Sequence, residues 1–548
     1  MRGTPFLSEG FVGGLNTVAD PYQVEATEAR ELMNVVSTQR GSIRKRYGST
    51  QVLETLPPTE LNTIFAATIS GVPWLIIAGG GKIYSVSAGG VVTEIGKGFS
   101  GQPFSIVQAP ISKEIGSQGP IYLTNGNNFP VYWTGAGEVQ VWRGAASVKI
   151  GEQPLIECWE TEPHVPYGQY MIFAGNRIWM TGLGGDPSAV WFTEAVSIGE
   201  GGGQADPSFW PKTNVVRFDS SDGQPITGIG TVGPYILVFK ERKTWVIHNL
   251  NTGENRKLAD STGCVAHRSI VESGQGTFFL TADQGVYITD GSKLSEVSYN
   301  VRPTVLEINP AQRQNAAGGF FANHYYLSYA AGLSEVNNRT LDYDLQLKSW
   351  WLHDLAANRW TTWEPTTGAT GLYATPSKAG VAAGVVKCFV PGIYTDSGQN
   401  YTGNGTLGAY WIGYWDPFAY YVFRHRIKAP MLKKRIRQVW FAGEGQIVPM
   451  LFKNFHVGGR EEKAVVDNLE ISTEAKLPTD FSGASEKFGE GSGFFGEGEG
   501  IFGGETIVGQ ARIYAAGVCN VLSVGWGNNS EMGFTIDAFT AMISFRKS

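Results

Sequence analysis

What most narrows the folds open to this 548-residue chain is a hairpin pattern that recurs along its first three-quarters. Two short apolar or alternating segments stand on either side of a turn rich in Gly, Asn or Asp. Residues 74–78 and 82–87 flank Gly79-Gly80-Gly81, and residues 121–124 and 131–134 flank a turn opening with Asn125-Gly126. Asn-Gly is a strong hairpin signal because both central residues of the turn need positive φ. The scheme returns at 177–181 with 190–193, 235–240 with 244–248, 277–281 with 286–289, and 325–329 with 340–344. Fainter traces stand at 371–375 and 384–390. The centres lie roughly 40 to 60 residues apart, the length of a four-stranded propeller blade with variable loops. This spacing predicts a β-propeller of six to eight blades, with stacked β-sandwiches as the competing all-β architecture.

Composition agrees with short strands and tight turns. The chain has 72 Gly, 12% aromatic residues and only 17% charged residues, and long Ala/Glu/Lys/Leu runs are absent. Its length calls for more than one core. We expect an N-terminal arm over 1–50, a β-propeller over 51–400 and a β-sandwich over 401–548. The last begins with aromatic-rich residues 410–415 and continues through strands at 439–442, 447–452, 464–471, 511–515, 521–525 and 534–545. A Gly/Glu/Phe-rich loop at 486–505 interrupts it.

The net charge of −6 gives no global argument for nucleic-acid binding. Cys158, Cys264, Cys388 and Cys519 lie far apart, which fits isolated buried thiols rather than a disulfide framework or a metal site. The most apolar stretch, 64–78, is broken by Gly71 and Pro73 and is too short to span a bilayer, so two strands explain it. No apolar signal-peptide core opens the chain, and a soluble protein made in the host cytoplasm is expected.

Residues 11–48 stand apart from the repeat. They open on an irregular Gly13-Gly14-Leu15-Asn16 turn and continue through Asp20-Pro21. Residues 26–33, rich in Glu, Ala, Arg and Leu, predict about two turns of helix with Thr27 as N-cap. Asn34, a strand, Gly41 and the basic triplet Arg44-Lys45-Arg46 follow, then Tyr47-Gly48. This order resembles the N-terminus of tail nozzle proteins of short-tailed bacteriophages, also called tail tubular protein B, and of related propeller-bearing phage tail proteins. Tyr47 stands where that family usually has Pro. The passages at 226–240, 283–291 (DQGVYITDG) and 342–350 (DYDLQLKSW) are similar to the family in style.

The resemblance implies a virion structural protein without enzymatic activity or cofactor. It implies a homo-oligomeric ring, a hexamer, that meets adaptor or portal-side proteins and fibre proteins, conducts DNA during ejection and gates it. Two other roles stay open: a distal or minor tail protein for host attachment, and a glycan-binding or glycan-degrading propeller. Gly13, Gly14, Asn34, Arg44, Lys45 and Arg46 are candidate assembly residues. So are two basic triplets at strand spacing, Arg424, Arg426, Lys428 and Lys433, Arg435, Arg437, which period two would place on one face of each strand. Phe494, Phe495 and Phe502 in the Gly/Glu/Phe tract are candidate anchors in a neighbouring subunit.

Other motifs carry less chemistry. The GxGxxG matches at 491–496 and 498–503 sit among Glu490, Glu497, Glu499 and Glu505, which repel phosphate, and no helix pattern follows. Thr281-Ala282-Asp283-Gln284-Gly285 resembles half of a sialidase Asp box and reads as a structural turn. Asp219-Ser220-Ser221-Asp222-Gly223 is a calcium-loop fragment without its later ligands, better read as a polar turn. The histidines, His324 and His353 among them, are scattered singly, with no HExxH.

Overall fold

A Ser70-Gly71 turn shows how the sheets start. Both residues hold positive φ, 51° and 79°, which folds Leu61–Ile69 directly back onto Val72–Gly79. Gly80 and Gly81, at 58° and 76°, repeat the device before Lys82–Ser87. Val92–Lys97 completes an antiparallel sheet of four strands. The computed structural model describes residues 4–7, 10–19, 25, 27–38, 41–53, 60–109, 119–142, 165–195, 210–211, 213–283, 285–366, 368–377, 384–393, 419–423, 433–453, 475–476, 509–519, 522–528 and 534–546.

Within these residues the chain is all-β and forms seven four-stranded antiparallel sheets. Each hairpin expected from the sequence supplies the middle two strands of one of them. Their first strands are Leu61–Ile69, Ser105–Gln108, Tyr170–Ala174, Gly228–Val232, Val271–Ser273, Ala317–Phe321 and Ala357–Trp363. Each of these packs against the next, and Ala357–Trp363 packs back against Leu61–Ile69. The seventh sheet takes its fourth strand, Ser49–Gln51, from the N-terminal end of the chain. The arrangement is β-propeller-like.

Aromatic residues fill the wedges between adjacent sheets. Trp74 meets Trp133 edge-on between the first and second, with ring centroids 5.2 Å apart. Trp142 and Trp210 pack with Met171 between the second and third, and Trp179 and Trp245 between the third and fourth. Phe239 meets Phe279 at 4.8 Å, Phe278 stacks on Tyr325 at 4.6 Å, and Tyr326 stacks on Trp360 at 5.8 Å. Trp363 and Tyr84 lie in the cluster that joins the seventh sheet to the first. Burying one such ring stabilises by roughly 1.5–3 kcal/mol. Glycines let the first strands approach closely: a Cβ on Gly318 would lie 2.7 Å from Val271, and one on Gly319 would lie 2.6 Å from the Trp360 Cβ.

The two ends of the chain share one further sheet of eleven strands. Thr4–Leu7 and Ile43–Lys45 pair with Phe534–Arg546, while Glu28–Met33 pairs with Ala419–Phe423. Lys433–Lys453 pairs with Gly509–Cys519 and Phe534–Arg546 along its first part and with Leu522–Asn528 along its second. Two expectations are corrected here. Residues 28–33 are a strand, not a helix: Gly14–Leu15 lies parallel on one side and Ala419–Phe423 antiparallel on the other, and two ladders outweigh a weak local helix preference. The arm and the trailing strands, expected as separate units, interleave as one sheet. Strand 464–471 and the loop 486–505 lie outside the described residues.

Candidate functional site: a clasp on the sixth sheet and a basic channel mouth

The N-terminal motif folds inward. Phe11, Leu15, Leu32, Val35 and Ile43 join Trp350 and Trp351 of the sixth sheet in one buried cluster. Gly13 and Gly14 let the backbone come this close. A Cβ on Gly14 would lie 2.6 Å from the Trp350 carbonyl oxygen, and its φ of 66° suits glycine; one on Gly13 would meet Glu28 at 2.6 Å.

Asn34 and Arg46 form the centre of this clasp. Asn34 holds a φ of 57°, a left-handed conformation that Asn tolerates better than most residues. Its amide donates to the Leu352 carbonyl at 2.8 Å, and its carbonyl accepts from the Arg46 amide at 2.8 Å. The Arg46 guanidinium, 1% exposed, donates from Nε to Asn34 Oδ1 at 2.8 Å and from Nη2 to Asp354 Oδ1 at 3.0 Å. The Asp354 amide closes the circuit by donating to Asn34 Oδ1 at 3.1 Å.

A second acidic group backs the first. Asp342 Oδ1 is 2.7 Å from His324 Nδ1, and Asp342 Oδ2 is 3.2 Å from His353 Nε2. His324 Nε2 also lies 3.8 Å from Asp344. Burial opposes charge on His324, but Asp342 and then Asp344 outweigh it and lift the imidazole to about 9. His353 is lowered by burial, only partly offset by Asp342, so it stays neutral. Burial raises the Asp342 carboxyl, yet His324 and His353 hold it below its ordinary value. Arg44, stacked 4.0 Å over the Tyr47 ring, lies close enough to act on His324.

The structure thus places the candidate assembly residues as follows. Asn34, Lys45 and Arg46 are buried inside the chain, so these three do not present their side chains to a neighbouring subunit. Lys433, Arg435 and Arg437 belong to strand Lys433–Lys453, but the pairing register shifts between Ile436 and Gln438. The expected alternation is therefore interrupted at Arg437. Arg424, Arg426, Lys428, Phe494, Phe495 and Phe502 lie outside the described residues.

The weaker motifs are also settled by their partners. Asp219 and Asp222 accept from Lys243 at 3.0 and 2.9 Å, and Asp222 from buried Lys240 at 2.6 Å, so their carboxylates serve ammonium groups. The Asp283 turn closes through the Thr281 amide, which donates to the Gly285 carbonyl. Among the described residues no group of three or more His, Cys, Asp and Glu is disposed to hold a metal ion. No helix among them is long and apolar enough to cross a membrane.

The first strands of the seven sheets line a central channel of about 460 Å³. Arg268 and Arg359 both face into it. Arg268 and His267 sit in the turn His267–Ser269 leading into the fifth sheet, and Arg359 sits in the first strand of the seventh. The Tyr170 ring stacks on His267 with centroids 4.1 Å apart. Burial lowers Arg359 to about 9, with Arg268 adding repulsion; burial also lowers Arg268. His267 is pushed well down by burial and then by both arginines. Sequence reasoning missed this group because its members come from different sheets. It also treated His324 and His353 as isolated, although the hairpin register brings them to one carboxylate.

No family model matches the chain, and no curated protein matches it. Among solved structures it is similar to PorZ, a bacterial surface component of the type-IX secretion system of Porphyromonas gingivalis. The identity is 11% and the TM-score 0.35, over 70% of this chain and 44% of that one, so the chain spans less than half of PorZ. It is also similar to the computationally designed protein Ika8, at 11% identity and a TM-score of 0.35, over 69% of this chain and 99% of that one.

Proposed function

We propose that the chain is a structural subunit of a bacteriophage tail, in which seven sheets act as the blades of one closed propeller and the subunits form a ring that conducts DNA. One observation carries this reading: the stretches that resemble the nozzle family are spent on joining parts of the chain. Gly14 packs on Trp350, and Arg46 and Asn34 bind Asp354, next to the Asp342–Trp350 passage. A motif used as a joint suits a protein that works by shape and transmits load between a terminal sheet and a propeller. With Lys45 and Arg46 turned inward, ring contacts fall to other surfaces, and heterologous contacts close such a ring by rotation.

Negative-stain imaging and native mass spectrometry of the purified full chain test this. A closed ring, six copies in the family the sequence resembles, is the expected result. A monomer at every concentration, together with release of sugar from capsule or cell-wall polysaccharide, contradicts it.

A further inference from the structure

We propose that the mouth of the central channel binds a small oxyanion, a phosphate or a carboxylate group, between Arg268 and Arg359. The buried basic side chains show what a satisfied cation looks like in this chain. Arg46 has Asp354, Arg177 donates to the Thr193 carbonyl at 2.6 Å, and Lys240 has Asp222. Arg268 and Arg359 have neither an ion pair nor a side-chain hydrogen bond among the described residues, yet both line one cavity. Glu60 acts on Arg268 only from a distance, and its Oε1 already accepts from Asn358 Nδ2 at 2.6 Å.

Burial is the larger cause of the lowered Arg359, and the like charge of Arg268 in the same cavity adds to it. An oxyanion between them reverses the sign of that interaction, and planar guanidinium forks match oxyanion geometry. A second group points the same way. His267 Nδ1 is buried without a hydrogen-bond partner at the same mouth. Ile229, Ile270 and Trp360 supply apolar wall for the body of a ligand.

The test uses the full chain with inorganic phosphate and with galacturonate, each against sodium chloride at matched ionic strength. Calorimetric titration and thermal unfolding are the readouts. We expect at least one probe to bind one per chain with Kd below about 1 mM and to raise Tm where chloride does not. Arg268→Gln and Arg359→Gln should each weaken that binding by about tenfold or more. Which probe binds tells a phosphate from a carboxylate. The proposal is overturned if neither probe binds, if chloride raises Tm equally, or if both variants bind as tightly as the original chain. Should both variants fail to fold, the comparison of the two probes with chloride on the original chain decides alone.

Discussion

Two groups of charged side chains lie at opposite edges of neighbouring sheets and are built in opposite ways. At the outer edge of the sixth sheet, Arg46 meets Asp354 and Asn34, and Asp342 meets two histidines. In the turn leading into the fifth sheet and on the first strand of the seventh, Arg268 and Arg359 line one cavity, and neither is ion-paired among the described residues. Paired charge in the interior is costly to break and fixes one geometry, whereas guanidinium groups that line a cavity with no ion pair among the described residues are available to a ligand. The clasp is therefore architecture, and the channel mouth is the place to look for recognition.

The largest expected effect is at the clasp. Arg46→Ala leaves the buried Asn34 and the largely buried Asp354 without this partner and should destabilise the chain by about 3–5 kcal/mol, read from denaturant midpoints. Gly14→Ala comes next. The new methyl meets the Trp350 carbonyl in a left-handed conformation, and a loss of about 2 kcal/mol or more is expected in the same assay.

Titration of His324 should follow. Its folded value of about 9 is above its ordinary 6.5, so the stability it contributes is fully present below 6.5 and is lost as pH rises through 9. The loss should be on the order of 3 kcal/mol, and His324→Gln should flatten the profile over that window. The smallest effect belongs to the channel. Arg268→Gln in anion-free buffer removes repulsion rather than a bond, and should change stability by no more than about 1 kcal/mol, towards greater stability. A large loss there would erase the distinction between the two regions.

The hairpins were legible in the sequence because turn chemistry and apolar alternation are local. Gly80-Gly81, for example, needs only its own two flanking strands. The outer strands were not, since Glu254–Ala259 and Leu294–Glu296 are short and half-exposed and carry no apolar pattern. Glu28–Met33 misled because its composition favours a helix while its partners, Gly14–Leu15 and Ala419–Phe423, lie elsewhere in the chain. The basic triplet stood out, yet its role did not: Asp354 lies 308 residues beyond Arg46. The channel arginines are each ordinary in their own segment and gain meaning only when the fifth and seventh sheets are brought round to one axis.

A double-mutant cycle on Arg46 and Asp354, with unfolding free energies of the original chain, Arg46→Ala, Asp354→Ala and the double variant, tests most directly whether the motif bonds inward. A coupling of about 2 kcal/mol or more is predicted for this buried pair. Additive losses, with coupling near zero, would mean that the basic triplet does not hold the sixth sheet and that the account of the clasp is wrong.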